Sequence, residues 1–158
     1  MIPEEVGKLI GKTGDTVIME VERGAIKRLA DAVGDFNPLY WDDEYARHSR
    51  YGSIIAPPGF FGWPTKWPEM GPTFSKLREE MLLTISKSGF PRGLDGGIEY
   101  EFFAPVRAGD TLAALPKIIN VYERESKGGT MLFSVTENTY TNQNGTIVAK
   151  ARQTMIHR

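Results

Sequence analysis

Apolar positions along the chain change their period partway, and the change separates a helical stretch from a strand-rich one. Between Gly24 and Val33, Ile26, Leu29, Ala30 and Val33 fall three and four apart, the spacing that gives a helix one buried face. Gly34 follows at the position where a left-handed residue commonly ends a helix. Ahead of this helix, Thr16 to Glu22 is rich in β-branched residues with partial alternation, and Gly11 and Gly14 precede it as turn residues, which predicts a first strand. Four β-rich runs occupy the second half: Gly97 to Phe103, Thr111 to Tyr122, Met131 to Asn142, and Gly145 to Ile156. Gly109-Asp110, Lys127-Gly128-Gly129 and Asn144-Gly145 separate them as hairpin-type connectors, the last of type I′ character. These elements predict an α+β layer arrangement: at least five strands in a long, curved antiparallel sheet, covered by one principal helix.

The middle of the chain follows neither period cleanly. Asp42 to Tyr51, charged and small, reads as a short exposed helix and loop, and Ser53 to Gly59 reads as extended because each proline disfavours helix in the residue before it. A second helix is expected to begin near Gly59, although Pro64 and Pro68 interrupt its pattern around Trp67. A further apolar spacing, Phe74, Leu77, Met81, Leu82 and Ile85, predicts an inserted or continuing helix. No internal repeat or linker divides the chain, so residues 1–158 are expected to form a single domain.

Composition narrows the chemistry. Lys and Arg number 19 against 20 Asp and Glu, a formal charge of −1, which implies no net attraction to nucleic acid or an anionic membrane. The absence of cysteine excludes disulfides and thiolate chemistry, and fits a reducing compartment. The acidic N-terminus lacks a signal-peptide pattern, and no run reaches bilayer-spanning length; the expectation is a cytoplasmic protein. Two scattered histidines give no recognisable metal-ligand spacing, so no metal site and no redox cofactor are expected.

The candidate chemistry lies directly after the first helix, in Gly34-Asp35-Phe36-Asn37-Pro38-Leu39-Tyr40. With Ala56-Pro57-Pro58-Gly59-Phe60 downstream and the turn from Ala104 to Asp110, it resembles the MaoC-like and (R)-specific enoyl-CoA hydratases, whose motif runs Gly-Asp-x-Asn-Pro-x-His. That resemblance implies a hot-dog fold, an antiparallel sheet wrapped around a central helix. It also implies hydro-lyase activity, the interconversion of 2-enoyl-CoA and 3-hydroxyacyl-CoA, on a substrate carried by coenzyme A or an acyl carrier. Carried over residue by residue, Asp35 matches the acid/base carboxylate and Asn37 the polar residue that holds the site. Gly59, with its neighbours Pro58 and Phe60, matches the substrate-binding helix start whose N–H meets the thioester oxygen.

Tyr40 stands where the family carries histidine, and a phenol with pKa near ~10 donates a hydrogen bond far better than it accepts a proton at neutral pH. Two readings follow. In one, Asp35 is the acid/base and Tyr40 positions water or substrate. In the other, the chain is a non-catalytic hot-dog subunit that shapes the acyl pocket, like the N-terminal-type MaoC-like domains, and pairs with a catalytic MaoC-like chain. Acyl-CoA thioesterase action is a third, weaker reading on the same fold. An unpaired apolar sheet edge makes at least a homodimer or heteromer the expectation. Plainer roles exist for the same residues: Asp35 and Asn37 as turn formers, Gly59 as a turn or packing residue, and Phe60, Phe61, Trp63 and Trp67 as core. His48, between Arg47 and Arg50, reads as a surface residue, and Arg47, Arg50, Lys66 and Arg92 as surface cations or contacts to coenzyme A phosphates.

Overall fold

The computed structural model describes residues 2–60 and 76–158. In chain order the elements are α1 (Glu4–Gly7), β1 (Val17–Glu20), α2 (Arg23–Val33), a 3-10 turn (Pro38–Tyr40), α3 (Asp43–His48), α4 (Lys76–Lys87), β2 (Gly93–Phe102), β3 (Thr111–Ser126), β4 (Gly129–Asn142) and β5 (Ile147–His157). All strand pairs are antiparallel, in the order β1-β3-β4-β5-β2. The α+β class is as the sequence predicts, and among the described residues α2 and α4 cover the sheet, α4 being the further helix predicted from the spacing of Leu77, Met81, Leu82 and Ile85. The helix expected to start at Gly59, with Phe61, Trp63, Lys66 and Trp67, lies outside the described residues.

Register assigns the sheet's two faces. Leu132 pairs with His157, Tyr140 with Ala149 and Ala114 with Tyr140, so these side chains share the face on which the helices lie. Along that face the core has two clusters. Ala25, Ile26, Leu29 and Ala30 of α2 pack with Tyr40, Ile54, Phe60, Leu112, Tyr140 and Ala149. Val6 and Leu9 join Leu77, Met81 and Ile85 of α4 over Ile118, Val121 and Leu132. Glu137 and Arg152 face each other on the opposite side, bonded at 2.7 Å; Arg152 also reaches Glu101 at 3.2 Å, and Lys150 reaches Glu137 at 3.4 Å. Burial pulls the Glu137 carboxyl upward, but the Arg152 hydrogen bond and the Lys150 charge outweigh it and hold the group below its ordinary value.

His157 ends β5 inside the core, 2% exposed, with Nε2 2.9 Å from Ser134 Oγ. Burial and then the charge of Arg78 disfavour its protonated form and lower its pKa from 6.5. The unfolded chain therefore binds the proton more readily. Stability is complete above the unfolded value and is lost as pH falls below it, by at most about 1.4 kcal/mol per pH unit for one proton. Melting temperatures measured from neutral pH down to pH of about 5 are expected to fall, and His157→Gln is expected to flatten that dependence. An unchanged slope in the variant would assign the acid sensitivity elsewhere.

Candidate functional site

The loop that carries the motif is fixed by its own side chains. The apolar face of α2 commits the helix to the sheet, and Gly34, at φ 69°, ends it. Its N–H donates to Asp31 O at 3.0 Å and that of Asp35 to Ala30 O at 2.8 Å, the paired bonds of a Schellman end that a β-carbon would strain. Asp35 Oδ1 then accepts from Asn37 N at 3.1 Å, and Asn37 Oδ1 accepts from Leu39 N at 3.1 Å, capping the 3-10 turn that Pro38 opens. Trp41 Nε1 donates to Asp35 O at 3.1 Å, and the Trp41 ring stacks on Phe36. Tyr40 is thereby driven inward and is 6% exposed.

A second segment meets this loop from residues 54 to 60. Ile55 N donates to Leu39 O at 3.3 Å, Ala56 N to Val106 O at 2.8 Å and Ala108 N to Ile54 O at 3.1 Å, tying the motif loop to the turn from Ala104 to Asp110. Asp110 holds that turn: Oδ2 accepts from Arg107 N at 2.8 Å and Oδ1 from Gln143 Nε2 at 2.9 Å. At the end of the segment, Phe60 N donates to Pro57 O at 3.2 Å around Pro58 and Gly59, the latter at φ 84°, as in a type II turn.

Between the loop, the segment and the end of β2 lies a cavity of about 650 Å³. Asn37, Tyr40, Arg50, Tyr51, Pro58 and Phe102 line it, with aliphatic and proline side chains between them. Three of the six residues predicted from the sequence, Asn37, Tyr40 and Pro58, stand on its wall. Asp35, Gly59 and Phe60 do not: Asp35 is turned into its own loop, Gly59 occupies the turn, and Phe60 is buried in the core at 1% exposure. Asp35 nevertheless bears on the cavity electrostatically. Burial first, then the charges of Asp35 and Tyr51, raise the Tyr40 pKa, so its hydroxyl is a neutral donor across the physiological range.

Arg50 is the one charged residue among the described lining residues. Tyr51 joins it there, a residue that nothing in the sequence pattern marks. His48 is exposed in α3 with Nδ1 2.8 Å from Glu44 O, and it does not line the cavity. Among the described residues no cluster of His, Asp and Glu converges as metal ligands, and no helix is long and apolar enough to cross a membrane. The cavity can therefore hold an apolar chain, donate a hydrogen bond from Tyr40, and meet negative charge at Arg50. Its described wall holds no group that accepts a proton near neutral pH.

Residues 8–151 match the family described as FAS1-like, dehydratase domain region. A UPF0336 protein of Streptomyces avermitilis is 31% identical over 110 residues, covering 65% of this chain and 63% of the relative. A Thermomonospora curvata protein named "Probable enoyl-CoA hydratase alpha subunit" is 26% identical over 141 residues, covering 83% of this chain and 43% of the relative. The chain thus spans less than two thirds of both relatives. A chain of the ChsH1-ChsH2 complex from Mycobacterium tuberculosis superimposes with a TM-score of 0.82 at 17% identity, covering 97% of this chain and 93% of that one. Solved MaoC-like dehydratases and (R)-hydratases share the arrangement, so the hot-dog fold expected from the sequence is the fold present.

Proposed function

The chain belongs to the FAS1-like dehydratase domain family, and from that premise we propose that it is the pocket-forming unit of a hydratase/dehydratase that interconverts 2-enoyl and 3-hydroxyacyl thioesters. The observation that carries this is the cavity beside the motif loop, apolar along its wall, with the neutral Tyr40 phenol where a base is needed. Hydration places the oxygen of water on C3 and a proton on C2, and electron density shifts onto the thioester oxygen as the C3–O bond forms. A base must take the proton of water, and a donor must meet that oxygen. In this reading the wall of the cavity takes the acyl chain, and Tyr40 donates to water or to the thioester oxygen. The base is the imidazole of a second MaoC-like chain, docked on the exposed edge strand β2. The relative named as an alpha subunit is consistent with a pairing of that kind.

The experiment is hydration of a crotonyl-CoA-type substrate by the purified chain, alone and co-expressed with a MaoC-like chain that carries the Asp/His pair. Activity is expected only in the heteromer. Rapid turnover by the chain alone would instead favour the second reading, in which Asp35 is its own acid/base. The observation behind that alternative is the electrostatic influence of Asp35 on Tyr40, and Asp35→Asn would then abolish activity. Release of free thiol without hydration would point to thioester hydrolysis.

A further inference from the structure

We propose that Arg50 is the anion anchor of this cavity and reads a phosphate on the carrier arm of the thioester, an inference that rests on the acyl-thioester reading above. The first ground is position. Arg50 is exposed, borders the cavity, and brings the only charge among the described residues of a wall that is otherwise uncharged and mostly apolar. Near such a wall the effective dielectric is lower than in water, so a single positive group attracts an anion more strongly than a fully solvated one.

The second ground is preorganisation. Arg50 Nη2 donates to Tyr51 Oη at 2.5 Å, and the guanidinium carbon lies 4.8 Å from the centre of the Tyr51 ring. Tyr51 is itself fixed from two sides: its N–H donates to Ser49 Oγ at 3.1 Å, and its carbonyl accepts from Arg107 Nε at 3.3 Å. Ser49 Oγ in turn donates to Ala46 O at 2.6 Å, in α3. A stacked guanidinium keeps its other N–H edge available, and that planar fork suits two phosphate oxygens at once.

The third ground is the absence of a competing carboxylate. Among the described residues no carboxylate forms an ion pair with Arg50, whereas Arg23 pairs with Asp43 and Arg152 with Glu137. Asp42 and Glu44 line a separate depression with Tyr45 and His48. Arg107, half-buried, donates to the main-chain carbonyl of Tyr51, the residue that Arg50 stacks against, and adds a second positive charge to the same corner of the fold. The anion that fits is a phosphate mono- or diester, and its source is either the diphosphate of coenzyme A or the single phosphate of a phosphopantetheine arm.

The test is calorimetric binding to the wild-type chain, Arg50→Gln and Arg50→Lys, using four probes: free coenzyme A, a coenzyme A thioester, the 4′-phosphopantetheine thioester, and the N-acetylcysteamine thioester of the same acyl group. Arg50→Gln is expected to weaken every phosphate-bearing probe by about tenfold and leave the N-acetylcysteamine thioester unchanged, with Arg50→Lys in between. Equal affinity of the two phosphate-bearing thioesters in the wild type assigns the contact to the phosphate that they share. Tighter binding of the coenzyme A thioester assigns it to the diphosphate. Unchanged coenzyme A affinity in Arg50→Gln, no coenzyme A binding by the wild type, or equal loss on all thioesters overturns the proposal. Loss of coenzyme A binding in Arg50→Gln, with no hydration by any assembly of the chain, upholds the anchor and overturns the hydratase reading instead.

Discussion

Replacing Tyr40 with histidine is expected, on the pairing proposed above, to give the isolated chain hydration activity, with a gain over the wild type on the order of 100-fold for a newly placed general base. The position is suited to it. Tyr40 lines the cavity, its backbone is held by the 3-10 turn and the Asn37 cap, and imidazole is smaller than phenol, so the core does not need to open. The charge of Asp35, which disfavours a phenolate at this position, would favour an imidazolium there and so strengthen the base. Steady-state hydration of a short 2-enoyl thioester by Tyr40→His, by the wild type and by Tyr40→His/Asp35→Asn checks this. The double variant should lose most of the gain. A folded Tyr40→His protein as inactive as the wild type would show that the cavity does not place the substrate double bond at this residue. A wild type already faster than the variant would return the proton chemistry to Asp35 and Tyr40 themselves.

What the sequence made legible here was the part written in local chemistry. The left-handed glycine at 34, the Asx and proline turn after it, and the hairpin at Asn144-Gly145 are governed by residues within a few positions of one another. Strand limits were less legible. The sequence pattern begins this strand at Gly97, yet β2 starts at Gly93 and absorbs Gly96 as the extra residue of a bulge between Asp95 and Gly97. Pro116 sits inside the sixteen-residue β3, which propensity disfavours. Its tolerance comes from register: β1 pairs only with Thr111 to Ala114, so at Pro116 the β1 side of the strand is met by a loop, with Gly14 N donating to Pro116 O at 2.9 Å. The short α1 has no side-chain cap and only four residues, too little for a periodic signal.

The site was legible in the same uneven way. Asp35 and Asn37 were visible as motif residues, but the structure uses both side chains to hold the loop, which is the plainer role that turn chemistry allows. Tyr51 and Arg107 carried no signal, because their importance comes from two segments 56 residues apart meeting at one hydrogen bond. His157 looked like a chain-end residue. Its burial was recoverable only from strand parity, since it shares a face with Ala149, Ala151, Gln153 and Met155 along β5.

The second large effect is expected on the edge strand β2, where Ile98→Asp should dissociate the heteromer proposed above and remove the activity proposed for it. β2 ends the sheet, and Leu94, Ile98 and Phe102, with Phe103 just beyond, are each about half exposed, between 48% and 52%. An apolar edge strand of ten residues is a template for pairing with another chain unless charge blunts it. Of the charges present, Asp95, near the start of the strand, accepts from Gly97 N at 2.9 Å within the bulge, while Glu99 and Glu101 stand opposite Arg152 and Lys150 on the far face of the sheet, and Glu101 is bonded to Arg152. Ile98, Tyr100 and Phe102, in register with Gln153, Ala151 and Ala149, sit on the face that carries the helices, and Phe102 borders the cavity. A second hot-dog unit on β2 would therefore cover the apolar edge and close the cavity in one step. A carboxylate buried there without a partner costs about 3–5 kcal/mol, a weakening of 100-fold or more. Sedimentation over a dilution series should show Ile98→Asp as free chains where the wild type is assembled, with hydration lost in parallel. Ile18→Asp, at a 63% exposed position on the opposite edge strand β1, should leave assembly intact. The reverse pattern, dissociation by Ile18→Asp and none by Ile98→Asp, would move the interface to β1 and leave the cavity without its second wall.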